Sequence, residues 1–134
     1  MPRLEYFLVA ESVSVDSDRN QVSVFNILEE ISVPRTGPKV IPQLVALASW
    51  IVVPEDEGKD FQVSVELVRP GPNCPYNDEF SLNFTARCKR QRTQICLALL
   101  PIDRVGDMVF NLKLNGSQVA SHVLAVRPSN TEYD

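Results

Sequence analysis

Apolar and polar residues alternate one for one along much of this chain, and this alternation limits its fold more than any other feature. In residues 61–67 every second side chain is apolar: Phe61, Val63, Val65 and Leu67. Residues 80–88 repeat the pattern. Successive side chains of a β-strand point to opposite faces, so a period of two predicts strands with one buried face.

The alternating segments predict eight strands, separated by turns rich in proline and glycine. They cover about residues 5–15, 21–33, 43–53, 60–69, 79–88, 93–100, 107–114 and 118–127. Eight short strands at this spacing are typical of a β-sandwich or a barrel. Clean alternation and uneven strand lengths favour the sandwich. We therefore expect an all-β, eight-stranded antiparallel sandwich, immunoglobulin-like or C2-like in general form.

The length of 134 residues argues for one domain. We expect this domain to span residues 1–128 and residues 129–134 to form a polar tail. The pair Asn115-Gly116 is a strong hairpin signal, because both residues tolerate positive φ. A two-residue turn there pairs Leu112 with Val119, a three-residue turn pairs it with Ala120, and a bulge would reconcile the two registers.

Composition excludes several classes of protein. The formal net charge is −4, which lacks the basic footprint that nucleic acids and anionic membranes require. No apolar run approaches the roughly 20 residues that span a bilayer, and the N-terminal residues do not form a signal peptide. Three cysteines, Cys74, Cys88 and Cys96, have neither disulfide-framework nor zinc spacing. We expect a cytoplasmic protein.

The segment DSDRN contains the Asp16, Asp18 and Asn20 pattern with which a calcium loop begins. Such a loop needs glycine at its sixth position and glutamate at its twelfth, where this chain has Gln21 and Ile27. A turn is the favoured interpretation, because Asp and Asn side chains bind nearby backbone. In an alternative of C2 type, an up-and-down strand order places Asp16, Asp18, Asp56 and Asp60 at one acidic, metal-binding end, which the basic loop of residues 89–92 shares.

Two loops are candidate partner-binding sites. The basic loop with Lys89, Arg90 and Arg92 has the charge to bind phosphate or an acidic partner. Tyr76 lies in a long proline-rich loop that would suit recognition. For both loops a structural role is the favoured interpretation: a solvated, charged hairpin for the basic loop and a rigid connector for the proline-rich loop.

Catalytic signals are missing from the sequence. His122 is the only histidine, and its neighbour Ser121 faces the opposite side of the strand. No nucleophile elbow, zinc motif or phosphate-binding glycine loop is present. We therefore expect no enzyme, no cofactor and no small-molecule ligand.

Three segments resemble a family of short bacterial proteins of unknown function. They are the opening EYFLVAESVSVD, the strand NILEEI and the closing GDMVFNLKLNGSQVASHVLAV. The family pattern matches Asn26-Ile27-Leu28, residues 106–110 and Leu124-Ala125-Val126. Family members often carry glycine soon after the leucine, where this chain has Glu29. The resemblance implies a β-sandwich and supplies no activity, so it assigns no functional residues.

The patterns together predict a non-catalytic interaction or structural module. Long strands with edges that can pair suit a protein partner or a second copy of the chain. The alternative function is a calcium- or lipid-binding, C2-like sandwich that uses its acidic loops.

Overall fold

The computed structural model describes residues 1–34, 37, 39–71, 78–87 and 89–129. Within these residues there are nine strands and one three-residue 3₁₀ helix, Pro54–Asp56. The strands are β1 (Arg3–Asp16), β2 (Gln21–Ile27), β3 (Glu30–Val33), β4 (Lys39–Ile51), β5 (Asp60–Val68), β6 (Asp78–Thr85), β7 (Arg90–Ile102), β8 (Gly106–Leu114) and β9 (Ser117–Pro128).

The strands form two sheets, and the predicted all-β sandwich is confirmed. The first sheet has the order β2-β1-β4-β7, and the second has the order β3-β9-β8-β5-β6. All pairs are antiparallel except β3 with β9, which run parallel. No helix in the described part of the chain is long and apolar enough to cross a membrane.

The ninth strand arises because the predicted strand 21–33 divides between the two sheets. Asn26 adopts a left-handed backbone conformation with φ of 57°, which bends the strand. The Leu28 amide still donates to the Val9 carbonyl of β1 (2.8 Å), whereas the Glu29 carbonyl accepts from the Ala125 amide of β9 (2.9 Å). The chain therefore crosses from one sheet to the other between Leu28 and Glu29.

The core lies between the sheets and consists of the inward positions of the alternating strands. Its largest fully buried side chains are Trp50, Phe110, Leu44, Leu67, Ile102, Met108, Leu112, Leu114 and Leu124. Trp50 is buried, as its apolar strand predicts, and its indole Nε1–H donates to the Thr93 hydroxyl at 3.0 Å. A buried indole N–H needs such a partner, because an unpaired buried donor is destabilising.

The last hairpin contains both of the registers that the sequence left open. Leu114 pairs with Ser117 around a two-residue Asn115-Gly116 turn, whereas Leu112 pairs with Ala120. The register shifts between Leu112 and Lys113, so Val119 is the extra residue of a bulge. The bulge turns Leu124 and Val126 inward, and both are fully buried.

The described chain extends beyond the predicted end of the domain. Ser129 is buried, and its amide donates to the Val33 carbonyl at 2.9 Å. Residues 130–134 of the predicted tail lie outside the described residues, as do Cys74, Tyr76 and Cys88.

Replacing Thr93 by valine tests the buried contact with Trp50. Valine preserves the shape of threonine but removes the acceptor, so we expect the free energy of unfolding to fall by about 1–3 kcal/mol. Urea denaturation followed by tryptophan fluorescence measures the change.

Thr93→Ser is the matched control, because it keeps the hydroxyl and removes only a methyl group. We expect a loss of about 1 kcal/mol for the serine variant. Equal stability of wild type and Thr93→Val would contradict the assigned role of this hydrogen bond.

Candidate interaction surface

The DSDRN segment forms the turn between β1 and β2. Asp16 Oδ1 accepts hydrogen bonds from the backbone amides of Asp18 (3.0 Å) and Arg19 (3.4 Å). Asn20 follows with φ of 53°, a conformation that asparagine tolerates. The Asp16 carboxylate therefore closes the turn by binding local backbone.

The tip of this turn lies against the basic loop. Asn20 Oδ1 accepts a hydrogen bond of 2.6 Å from Arg92 Nη2. In the first sheet Arg92 of β7 lies opposite Ser49 of β4, and Ser49 lies opposite Tyr6 of β1. Tyr6 is ten residues before the end of β1. A straight β1 would carry its end about 33 Å past Tyr6. The ribbon formed by residues 11–26 must therefore bend back over the outer face of the first sheet, the face that points away from the second sheet.

The bend accounts for an unexpected pattern of burial on β4. Val45, Leu47 and Ser49 point away from the second sheet, yet all three are buried. The sequence suggested that DSDRN and the basic loop share an end of the sandwich through an up-and-down strand order. The two do meet, but the reason is the folded-back ribbon, since the strand order is not up-and-down.

Glu5 of β1 makes two contacts on the outer face of the first sheet. Its Oε1 accepts from the Ser49 hydroxyl at 2.9 Å, and its Oε2 accepts from Arg90 Nη2 at 2.6 Å. The Ser49 hydrogen bond, followed by the contact with Arg90, holds the pKa of the Glu5 carboxyl below its usual value. No motif in the sequence marks Glu5, which sits in a bulge that breaks the alternation of β1.

The lowered pKa of Glu5 makes stability depend on pH in a defined direction. A carboxyl whose pKa is lower in the folded state stabilises the protein above its unfolded-state pKa, about 4.3 for glutamate. That contribution disappears as the pH falls through the lower folded-state pKa. We expect wild type to melt at a higher temperature than Glu5→Gln at pH 7, and the difference to shrink steadily below about pH 4.

Differential scanning fluorimetry across pH 3–7 measures this difference. Glu30→Gln is the control, because it removes the same charge from an exposed position outside the Glu5 contacts. A melting difference for Glu5→Gln that stays constant from pH 7 to pH 3 would contradict the prediction.

The other two candidate metal ligands have separate partners. Asp56 is only 6% exposed, and its Oδ2 lies 2.9 Å from the amino group of Met1. Asp60 Oδ1 accepts from the Thr85 hydroxyl. Across residues 1–34, 37, 39–71, 78–87 and 89–129, no three His, Cys, Asp or Glu side chains gather as a metal site would require. The structure therefore does not bring together Asp16, Asp18, Asp56 and Asp60.

Two side chains of the basic loop bind residues of β1 and of the DSDRN turn, whereas two nearby basic side chains form no ion pair within the described chain. Arg90 binds Glu5 and Arg92 binds Asn20. The Arg87 and Lys89 side chains form no ion pair within the described chain, and they border a cavity of about 420 Å³. The cavity is lined by Ile51, Val52, Val53, Pro54, Glu57, Arg87 and Lys89. Partner binding by Lys89, Arg90 and Arg92 stays a prediction.

His122 is held between the sheets. The bulge in the last hairpin turns it toward the core, where its Nε2–H donates to the Leu28 carbonyl at 2.7 Å. Its ring contacts Phe7 and Phe110 edge-on, with centroid distances of 6.5 and 6.4 Å. These contacts give the side chain a structural role in joining β9 to the crossing segment at Leu28.

The largest open surface for pairing is the free side of β7. This strand has 13 residues and ends the first sheet, since no described strand pairs with its second side. Its residues 93–100, TQICLALL, carry no charge. Long uncharged edges are unusual in natural sheets, because unpaired N–H and C=O groups there accept strands from other chains.

The hydrogen-bonding pattern between β4 and β7 identifies which backbone groups of β7 point to its open side. The Val52 amide donates to the Lys89 carbonyl at 2.9 Å. Antiparallel ladders alternate between pairs that exchange hydrogen bonds and pairs that do not. Residues 91, 93, 95 and 97 therefore bond to β4, and the backbone groups of Arg92, Gln94 and Cys96 face the open side.

Leu99 departs from the alternation that would place it in the core. It adopts φ of 54° and is 72% exposed. A left-handed conformation at a non-glycine residue costs about 1–2 kcal/mol. The twist reverses the alternation, so Ala98 and Leu99 are both exposed while Leu97 and Leu100 are both buried.

A side chain occupies one end of the open side, since Arg69 Nη1 donates to the Pro101 carbonyl at 2.8 Å. At the other end the uncharged run begins after Arg92, the last charged residue of β7. We call the remaining segment, residues 92–100, the β7 edge. The alternation of residues predicted this strand but not its position at the edge of the sheet, because strand order has no local signal.

The two sheets define an all-β sandwich with one long strand, β7, that is paired on only one side within the described chain. The chain belongs to a family of unknown function (DUF6941), whose model matches residues 5–127. This confirms membership of an uncharacterised family, whereas the predicted bacterial origin stays a prediction. A search of curated proteins finds no match.

Proposed function

We propose that the chain is a non-catalytic protein-interaction module that binds its partner by strand addition to the β7 edge. The observation that carries this proposal is the unpaired side of a 13-residue strand whose residues 93–100 carry no charge. In strand addition, backbone hydrogen bonds supply affinity and the side chains of alternate residues supply specificity. The cytoplasm is the compartment in which we expect this binding.

Three properties of the β7 edge support strand addition. Its outward amides and carbonyls at Arg92, Gln94 and Cys96 have the spacing of an antiparallel ladder. Its exposed side chains include the apolar or weakly polar Cys96 and Leu99. Arg69 occupies the Pro101 carbonyl at one end and Arg92 precedes the uncharged run at the other, so an added strand would pair with residues 92–100.

The other sheet edges are less suited to this role. β3 has only four residues, and β6 begins with the charged pair Asp78 and Glu79. β2 has seven residues and ends at the bend of Asn26. Short, charged or bent edges are the usual means by which proteins avoid edge pairing.

The variant Gln94→Pro tests whether partners bind at the β7 edge. Because the Gln94 amide faces away from β4, proline removes a donor from the open side and leaves the β4 ladder complete. Tagged chain is incubated with source-cell lysate supplemented with untagged chain, and captured proteins are quantified by mass spectrometry. We expect wild type to capture a stoichiometric protein and Gln94→Pro to lose at least tenfold of it.

Val123→Lys is the control, because Val123 is exposed on β9 of the second sheet, outside the β7 edge. This variant should capture as much partner as wild type. Circular dichroism and melting temperature confirm that each variant is folded. Equal capture by Gln94→Pro, or no stoichiometric capture by wild type, would overturn the proposed function.

A further inference from the structure

We infer that the partner at the β7 edge is a second copy of this chain, paired antiparallel about a two-fold axis at Cys96. This inference rests on the proposed function and adds the identity of the partner and the register. It joins the two first sheets into one eight-stranded sheet across the dimer.

The limits of the β7 edge determine where a symmetric axis can lie. The open segment is residues 92–100, since Arg69 occupies the Pro101 carbonyl and Arg92 is the last charged residue before the uncharged run. The central residue of this segment is Cys96. A two-fold axis at Cys96 gives the longest pairing that both copies can share, because an isologous interface uses the same surface twice.

The hydrogen-bonding pattern of β7 agrees with a two-fold axis at Cys96. Cys96 directs its backbone N–H and C=O away from β4, so it can exchange two hydrogen bonds with the same residue of the second copy. The same register places Gln94 opposite Ala98 of the second copy. Both side chains are exposed on the outer face of the sheet, so pairing requires no rearrangement of the core.

The charges at the ends of β7 favour the antiparallel direction. Arg90 and Arg92 lie at the start of the strand, and Asp103 follows its end. In a register centred on Cys96, Lys89 lies opposite Asp103 of the second copy. A parallel arrangement would instead set the arginines of both copies side by side, and like charges directly opposite destabilise a strand pair.

The first test is the mass of the purified full chain under reducing conditions. Sedimentation and native mass spectrometry at micromolar concentration should give twice the chain mass of 15.0 kDa. The double variant Gln94→Lys, Ala98→Lys places lysines opposite each other twice across the axis. We expect its dissociation constant to rise at least tenfold over wild type.

A charge exchange tests the register itself. The double variant Gln94→Lys, Ala98→Glu places each lysine opposite a glutamate of the second copy and should restore the dimer. Val119→Lys, Val123→Lys is the matched control, since it adds two lysines with the same spacing to exposed positions of β9. This control should remain dimeric.

Disulfide formation gives an independent readout of the axis. Residues opposite each other in a hydrogen-bonded antiparallel pair have Cα atoms about 5.5 Å apart, within the range that a disulfide spans. In a chain carrying Cys74→Ser and Cys88→Ala, mild oxidation should link Cys96 to Cys96 of the second copy and yield a covalent dimer. The Cys96→Ser version should remain a non-covalent dimer.

Three outcomes would overturn the inference. They are a monomer at all concentrations, a dimer that the lysine pair leaves unchanged, and a dimer that the charge exchange does not restore. A pure monomer that still captures a lysate protein sensitive to Gln94→Pro would refute self-association while supporting the proposed function. A monomer without any such capture would refute both.

Discussion

The burial of β4 on both faces is the constraint on which the rest of the sandwich depends. Every residue from Leu44 to Trp50 is buried. A buried backbone must have its N–H and C=O groups paired, because unpaired buried polar groups are strongly destabilising. β1 and β7 supply those bonds from the two sides. The second sheet covers one face of β4, and the folded-back ribbon of residues 11–26 lies over the other.

This arrangement leaves the two neighbours of β4 in different environments. β1 continues beyond β4 into the ribbon, whose tip is held by the contact between Asn20 and Arg92. β7 has no comparable cover on its free side within the described chain. The first sheet therefore ends in the folded-back ribbon on one side and in the long, uncovered side of β7 on the other, and this asymmetry makes the β7 edge the natural place for another strand.

Positive backbone angles mark the places where the strands depart from regular geometry. Outside glycine they occur, among the described residues, at Asn20, Asn26, Asn115 and Leu99. Asparagine tolerates this conformation, and the three asparagines serve two turns and the crossing between sheets. Leu99 has no such tolerance, and its strained, exposed side chain lies within the β7 edge. Strain that persists at an exposed residue is a feature often associated with function.

Local sequence determined the strands, the Asn115-Gly116 turn and the turn closed by Asp16, because alternation and turn chemistry depend on neighbouring residues. The tertiary structure alone decided the strand order, the division of residues 21–33 between two sheets, and the partners of Glu5 and Arg92. Those features depend on which distant strands pair, and two-residue periodicity is the same for a central strand and an edge. For that reason the sequence pointed to the basic loop and Tyr76, whereas the open side of β7 became visible only in the folded chain.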